Sequence, residues 1–153
     1  MEDDVQIYWD TFRLERPERD LPAESGDVFA FGDSPEMASK LGELVRAGVK
    51  TATTSAFWAY KPNEPLPQVG ELSVVLDGDK KPLCIVETTE VRTITFVEVD
   101  AAFAFDEGEG DRSLAYWRRA HERFFSRTLP GIGKTFSETT PVVCERFKKV
   151  YPA

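Results

Sequence analysis

The hydrophobic period of this chain turns from helical to extended after Gly48 and does not turn back until Ser113. Between those points Thr51–Trp58, Glu71–Leu76, Leu83–Glu87 and Val91–Phe96 follow one another, rich in β-branched and aromatic residues and alternating in places, as strands do. Asp77-Gly78-Asp79-Lys80 supplies hairpin turn chemistry, and Lys61–Pro67, with three prolines, requires a loop. Helical spacing flanks the strands. From Asp4 to about Leu14 it groups Val5, Tyr8, Trp9 and Phe12. Ser34-Pro35-Glu36 opens a second helix with a hydroxyl cap, an early proline and an early acid, and Gly48 is placed to end it. Ser113–Arg127 sets Leu114, Trp117, His121, Phe124 and Phe125 on one side. A short strand is predicted over Val28–Phe31, and Val142–Tyr151 closes the chain as one or two strands. Helices do not alternate regularly with strands, which disfavours a doubly wound parallel sheet. The pattern predicts an α+β fold: a small, mostly antiparallel β-barrel with surrounding helices. Residues 1–27, a helix followed by a charged connector with two prolines, read as an N-terminal extension, and residues 28–153 as the main domain.

At 153 residues the chain suits one domain. No apolar run approaches the roughly 18 residues of a membrane span, and the opening Glu2-Asp3-Asp4 lacks the basic and apolar regions of a signal peptide. A cytoplasmic protein with no membrane partner is expected. Two cysteines and one histidine make neither a disulfide framework nor a zinc site, so no structural metal and no cofactor are expected. Nineteen basic against 27 acidic residues leave a net charge of −8, which argues against a long nucleic-acid duplex held by phosphate contacts. The charge is uneven, however: residues 112–153 carry nine bases against three acids. That stretch is read either as a solvated arginine-rich helix face or as a local patch for nucleic-acid contacts.

Two segments carry chemistry. Gly48-Val49-Lys50-Thr51-Ala52-Thr53-Thr54-Ser55 leaves a helix through glycine and enters a strand with one lysine and several hydroxyls. A buried lysine beside hydroxyls can act as a base if it is kept neutral. Lys50 and Thr53 meet if the segment turns and point apart if it is extended. The same run also reads as a threonine-rich strand that begins on a solvated lysine. Asp106-Glu107-Gly108-Glu109-Gly110-Asp111 crowds four carboxylates around two glycines ahead of the arginine-rich helix. Crowding raises carboxyl pKa values, which suits a general acid. Equally, this is an acidic loop in which Asp111 or Ser113 caps the next helix. Trp58 and Tyr60 offer faces on which a base can stack, or pack in the ordinary way. His121 reads as a half-buried packing residue, and Cys84 and Cys144 as inert buried thiols.

At these segments the sequence resembles the ASCH domain family, through Ala47-Gly48-Val49-Lys50-Thr51-Ala52-Thr53, through Glu107-Gly108-Glu109-Gly110-Asp111-Arg112-Ser113-Leu114-Ala115-Tyr116-Trp117, and through Val69–Leu76. The resemblance spans about residues 28–150 and is closest to a bacterial subgroup. It implies a PUA-like fold and an RNA- or nucleoside-related function. Some members are amidohydrolases that remove the acetyl group of N4-acetylcytidine, and others are ribonucleases; the alternative to hydrolysis is a PUA-like module that binds RNA without turning it over. In the amidohydrolases a lysine, a threonine three residues later and a distant glutamate form the catalytic set. The resemblance carries these roles to Lys50, Thr53 and Glu109, with Glu107 as the alternative glutamate. Thr51, Ser55, Trp58, Tyr60 and Arg112 are the candidate substrate-binding residues. Many members carry an arginine where this chain has Ser55, so contacts made through that arginine do not transfer. The implied partner is a small nucleoside-like substrate, or else single-stranded or modified RNA.

Overall fold

The structure, a computed structural model, describes residues 2–153. Four helices, α1 (Glu2–Glu15), α2 (Pro35–Arg46), α3 (Ala101–Glu107) and α4 (Leu114–Thr128), surround five strands: β1 (Asp27–Ala30), β2 (Ala52–Ala56), β3 (Leu72–Leu76), β4 (Pro82–Thr95) and β5 (Pro141–Tyr151). The strands form one sheet in the order β1-β3-β4-β5-β2, parallel at β1–β3 and antiparallel elsewhere. The sheet curls into a half-barrel, and the fold is the α+β, PUA-like one expected from the sequence.

Period-two alternation decides which helix packs where. Val74, Leu76 and Ile85 are buried together with Val5, Trp9 and Phe12 of α1. Val75, Cys84 and Val86 turn the other way and meet Leu41 and Val45 of α2. A third cluster joins Ala52, Ala56, Val142 and Cys144 to Phe103 of α3 and to Trp117 and Phe125 of α4. Both cysteines are buried and unpaired, and burial pushes each thiol up to about 11.

The caps expected at two helix starts are made. Ser34 and Ser113 each accept from the backbone N–H three residues on. Gly48 takes the left-handed conformation, at φ 80°, just past α2. Two expectations change. The predicted strands at 83–87 and 91–96 belong to one long strand, β4, whose pairing with β5 shifts between Thr88 and Glu90. The shift marks a bulge, which bends the strand without ending it. In addition, Asp106 and Glu107 close a helix, α3, rather than lying in an acidic loop. Asp100 caps it by accepting from Phe103 N, and it packs inward through Phe103 and Ala104. Among the described residues no helix is long and apolar enough to cross a membrane.

Candidate functional site

β2 begins beside the end of α3, and main-chain contacts fix the two together. Thr51 N donates to Asp106 O at 2.7 Å, and Phe147 N of β5 donates to Thr51 O. Gly108 follows α3 at φ 74°, and a side chain there would lie 2.8 Å from Val49 O and 3.0 Å from Lys50 Cα. Only glycine permits that approach without displacing backbone. Glu107 and Glu109, on either side of it, are thereby brought to Lys50.

Lys50 is 1% exposed. Its Nζ donates to Glu109 Oε2 at 2.8 Å, Ala52 O at 2.9 Å, Glu107 Oε1 at 3.2 Å and Glu107 O at 3.3 Å, and it stands 5.3 Å from the centre of the Phe31 ring. An ammonium has three protons, so every one of them is engaged. Glu107 is as deeply buried, at 2%, whereas Glu109 keeps 23% of its side chain exposed. The second oxygen of Glu107 accepts from Thr54 Oγ1 at 2.5 Å and from Trp117 Nε1 at 2.7 Å, with His121 Nε2 3.6 Å away. Burial works to raise the Glu107 pKa. The Lys50 charge, then His121, then the Thr54 and Trp117 bonds outweigh it and hold the carboxyl below its ordinary value.

The cluster forms the floor of a cleft of about 370 Å³ between α2, α4 and the turn after β1. Thr53 lines this cleft with Lys50, Glu107 and Glu109. Among the described residues its hydroxyl makes no hydrogen bond, to Lys50 or to any other group. Thr54 joins the cluster instead, through its bond to Glu107. The other candidates do not line the cleft. Thr51 Oγ1 donates to Asp106 O, and Ser55 is hydrogen-bonded to Tyr60 at 2.9 Å. Trp58 packs on the α3–α4 core with Lys134 over its ring. Arg112, at φ 66°, stacks 3.6 Å from the Phe105 ring centre and donates to Phe105 O and Val49 O, strapping the loop down.

The crowding expected among the acids of this loop is confined to Glu107 and Glu109, which share Lys50, while the outer two have partners of their own. Asp106 bonds to Arg146, Glu107 and Glu109 bond to Lys50, and Asp111 accepts from Ser113 N. The Ser113 bonds hold the Asp111 carboxyl below its ordinary value rather than above it. Among the described residues no group of three or more His, Cys, Asp and Glu side chains is arranged to hold a metal ion.

Sequence reasoning missed Thr54 and Trp117 as members of the cluster and placed His121 in packing alone. His121 does stack on Trp117, with ring centres 4.2 Å apart, but it also lines the cleft. Its Nδ1 lies 2.9 Å from Trp117 O. A carbonyl only accepts, so Nδ1 carries a proton and Nε2 faces Glu107.

The family model described as ASCH domain matches residues 27–151. Among solved structures, the ASCH domain from Lactobacillus crispatus is 36% identical, with a TM-score of 0.91 over 99% of this chain and 96% of that one. A protein from Enterococcus faecalis is also 36% identical, with a TM-score of 0.86 over 100% of this chain and 97% of the other. A hypothetical protein at 12% identity and a TM-score of 0.51, covering 80% of this chain and 97% of its own, shares the fold alone. No curated protein matches the chain.

Proposed function

The chain belongs to the ASCH domain family, and from that premise we propose that it hydrolyses an acylated pyrimidine nucleoside such as N4-acetylcytidine, with Lys50, Thr53 and Glu109 as the reacting set. The observation that carries the reading is the 2.8 Å bond between Lys50 and the partly exposed Glu109 at the floor of a cleft that Thr53 lines. A lysine accepts a proton only as the neutral amine. Lys50 reaches that form by passing one proton along its bond to Glu109, which leaves the net charge of the pair unchanged. The pair then holds a base and an acid for one reaction.

In the first step Thr53 Oγ gives its proton to Lys50 and bonds to the acyl carbon. Glu109 gives its proton to the exocyclic amine as the carbon–nitrogen bond breaks. Cytidine leaves, Thr53 carries the acyl ester, and Lys50 and Glu109 are an ammonium and a carboxylate again. In the second step water gives a proton to Glu109 and attacks the ester, and Lys50 returns a proton to Thr53 Oγ as the carboxylic acid departs. Glu107 takes no proton in either step. Its buried charge, 3.2 Å from Nζ, keeps Lys50 in place between them.

The four arginines of α4, Arg118, Arg119, Arg123 and Arg127, favour a second reading: a module that binds or cleaves single-stranded or modified RNA, with Lys50 as a fixed positive charge. Turnover of free N4-acetylcytidine, followed by absorbance, separates the two. Lys50→Arg keeps the charge but cannot give up its proton, so activity should vanish. Glu109→Gln, at a more exposed position, should lose a hundredfold or more. Retention of most activity in Lys50→Arg would make the lysine a fixed charge and turn the assignment to phosphodiester chemistry.

A further inference from the structure

We propose that the substrate of this cleft ends in a phosphate received by Arg123 and Arg127, so that its class is the pyrimidine nucleoside 5′-monophosphate acylated on the exocyclic amine. The acyl group rests on the hydrolase reading; the phosphate rests on separate observations. Charge in the cleft is polarised along α4. Its floor holds Glu107 and Glu109 around Lys50, while Arg123 and Arg127 line it farther along the helix. Arg123 is exposed and makes no hydrogen bond or ion pair among the described residues, so it is a cation on the cleft wall without a direct partner.

The spacing suits one nucleotide. His121 stands 3.6 Å from Glu107, and Arg127 is six residues farther along α4, about 9 Å at 1.5 Å per residue. A pyrimidine nucleotide laid along the helix with its exocyclic amine at Glu109 reaches this turn with its 5′-phosphate. Between the two ends Phe124 of α4 and Met37 of α2 are 41% and 38% exposed and border the cleft, giving base and ribose apolar surface. Asp33 opposes an anion, but Arg127 already covers it at 2.6 Å, and Arg123 supplies the net positive charge.

Titration calorimetry on the full chain tests the assignment, with cytidine and cytidine 5′-monophosphate as probes at low and high salt. The wild type should bind the monophosphate at least about tenfold tighter, the scale of one charge-assisted hydrogen bond. Arg123→Gln should erase most of that preference and flatten its salt dependence. In kinetics, the ratio of kcat/KM for the acylated nucleotide over the acylated nucleoside should fall about as much. Equal affinity for the two probes, or a preference that survives Arg123→Gln combined with Arg127→Gln, overturns the proposal. Tighter binding of an oligonucleotide with internal cytidine than of the monophosphate overturns it in favour of a strand. A preference for the monophosphate without any hydrolysis would remove the hydrolase reading and leave the phosphate subsite standing.

Discussion

Lys50→Met removes a buried cation and leaves its two carboxylate partners behind. Methionine fills much of the same space, so the change acts mainly through charge. Glu107, 2% exposed, then keeps Thr54 and Trp117 as donors and loses its strongest stabilising charge. Breaking a buried ion pair from one side costs about 3–5 kcal/mol. For a chain near 150 residues that corresponds to a melting temperature lower by roughly 10 °C. The pH dependence gives the sharper test. In the wild type Glu107 is held below its unfolded value of 4.5, so its contribution to stability is present above that value and lost as the pH falls through the folded one. Without Lys50, burial prevails and the carboxyl is raised. Its contribution is then complete below the unfolded value and lost as the pH rises through the new folded one. The stability gap between the two proteins should be widest near neutral pH and narrow below about pH 4.5. Urea melts followed by circular dichroism across that range measure it. A gap under about 1 kcal/mol at neutral pH, or one that does not narrow on acidification, would refute the claim that buried charge holds the cluster.

Gly108→Ala forces a left-handed residue and sets a side chain 2.8 Å from Val49 O. It should cost at least about 2 kcal/mol in a denaturant melt and lower turnover by moving both glutamates, whereas a neutral result would mean the loop is not pinned there. His121→Phe preserves an aromatic ring on Trp117, and the proposed steps do not use imidazole, so turnover should stay within about tenfold. A loss of a hundredfold or more with folding intact would hand a proton transfer to His121.

The parts of the fold that were legible are those written in local chemistry. Val74 and Leu76 turn one way and Val75 the other by strand period alone, and Ser34 and Ser113 cap the helices they precede. Two features were not local. Ala101–Glu107 is seven residues, less than two full turns, too short for helical periodicity to be readable; its stability comes from burying Phe103 and Ala104. Thr88-Thr89-Glu90 reads as a gap between two strands because the bulge that absorbs it depends on pairing with β5. The site divides in the same way. Lys50, Thr53 and the two glutamates were available from the resemblance. The contacts of Thr54 and Trp117 with Glu107 require the end of α3 to lie against β2, which no spacing in the sequence states.

The way α3 meets β2 also bears on how the site works. The loop could have been drawn in by attraction between Lys50 and the glutamates, and it would then relax whenever a proton moved. The contacts say otherwise. Thr51 N to Asp106 O, Arg112 to Val49 O, and Gly108 against the Val49–Lys50 backbone are all independent of the ionisation of Lys50. Asp106, the acid next to Glu107, is occupied by Arg146, which fixes the end of α3 from the other side. The carboxylates are therefore aimed by the main chain, and charge is placed on a frame that already exists. Preorganised groups of this kind need little reorganisation as charge shifts during a reaction. In the proposed reaction a proton passes between Lys50 and Glu109 while the frame stays still, which is the condition that a shared acid and base in one cleft has to meet.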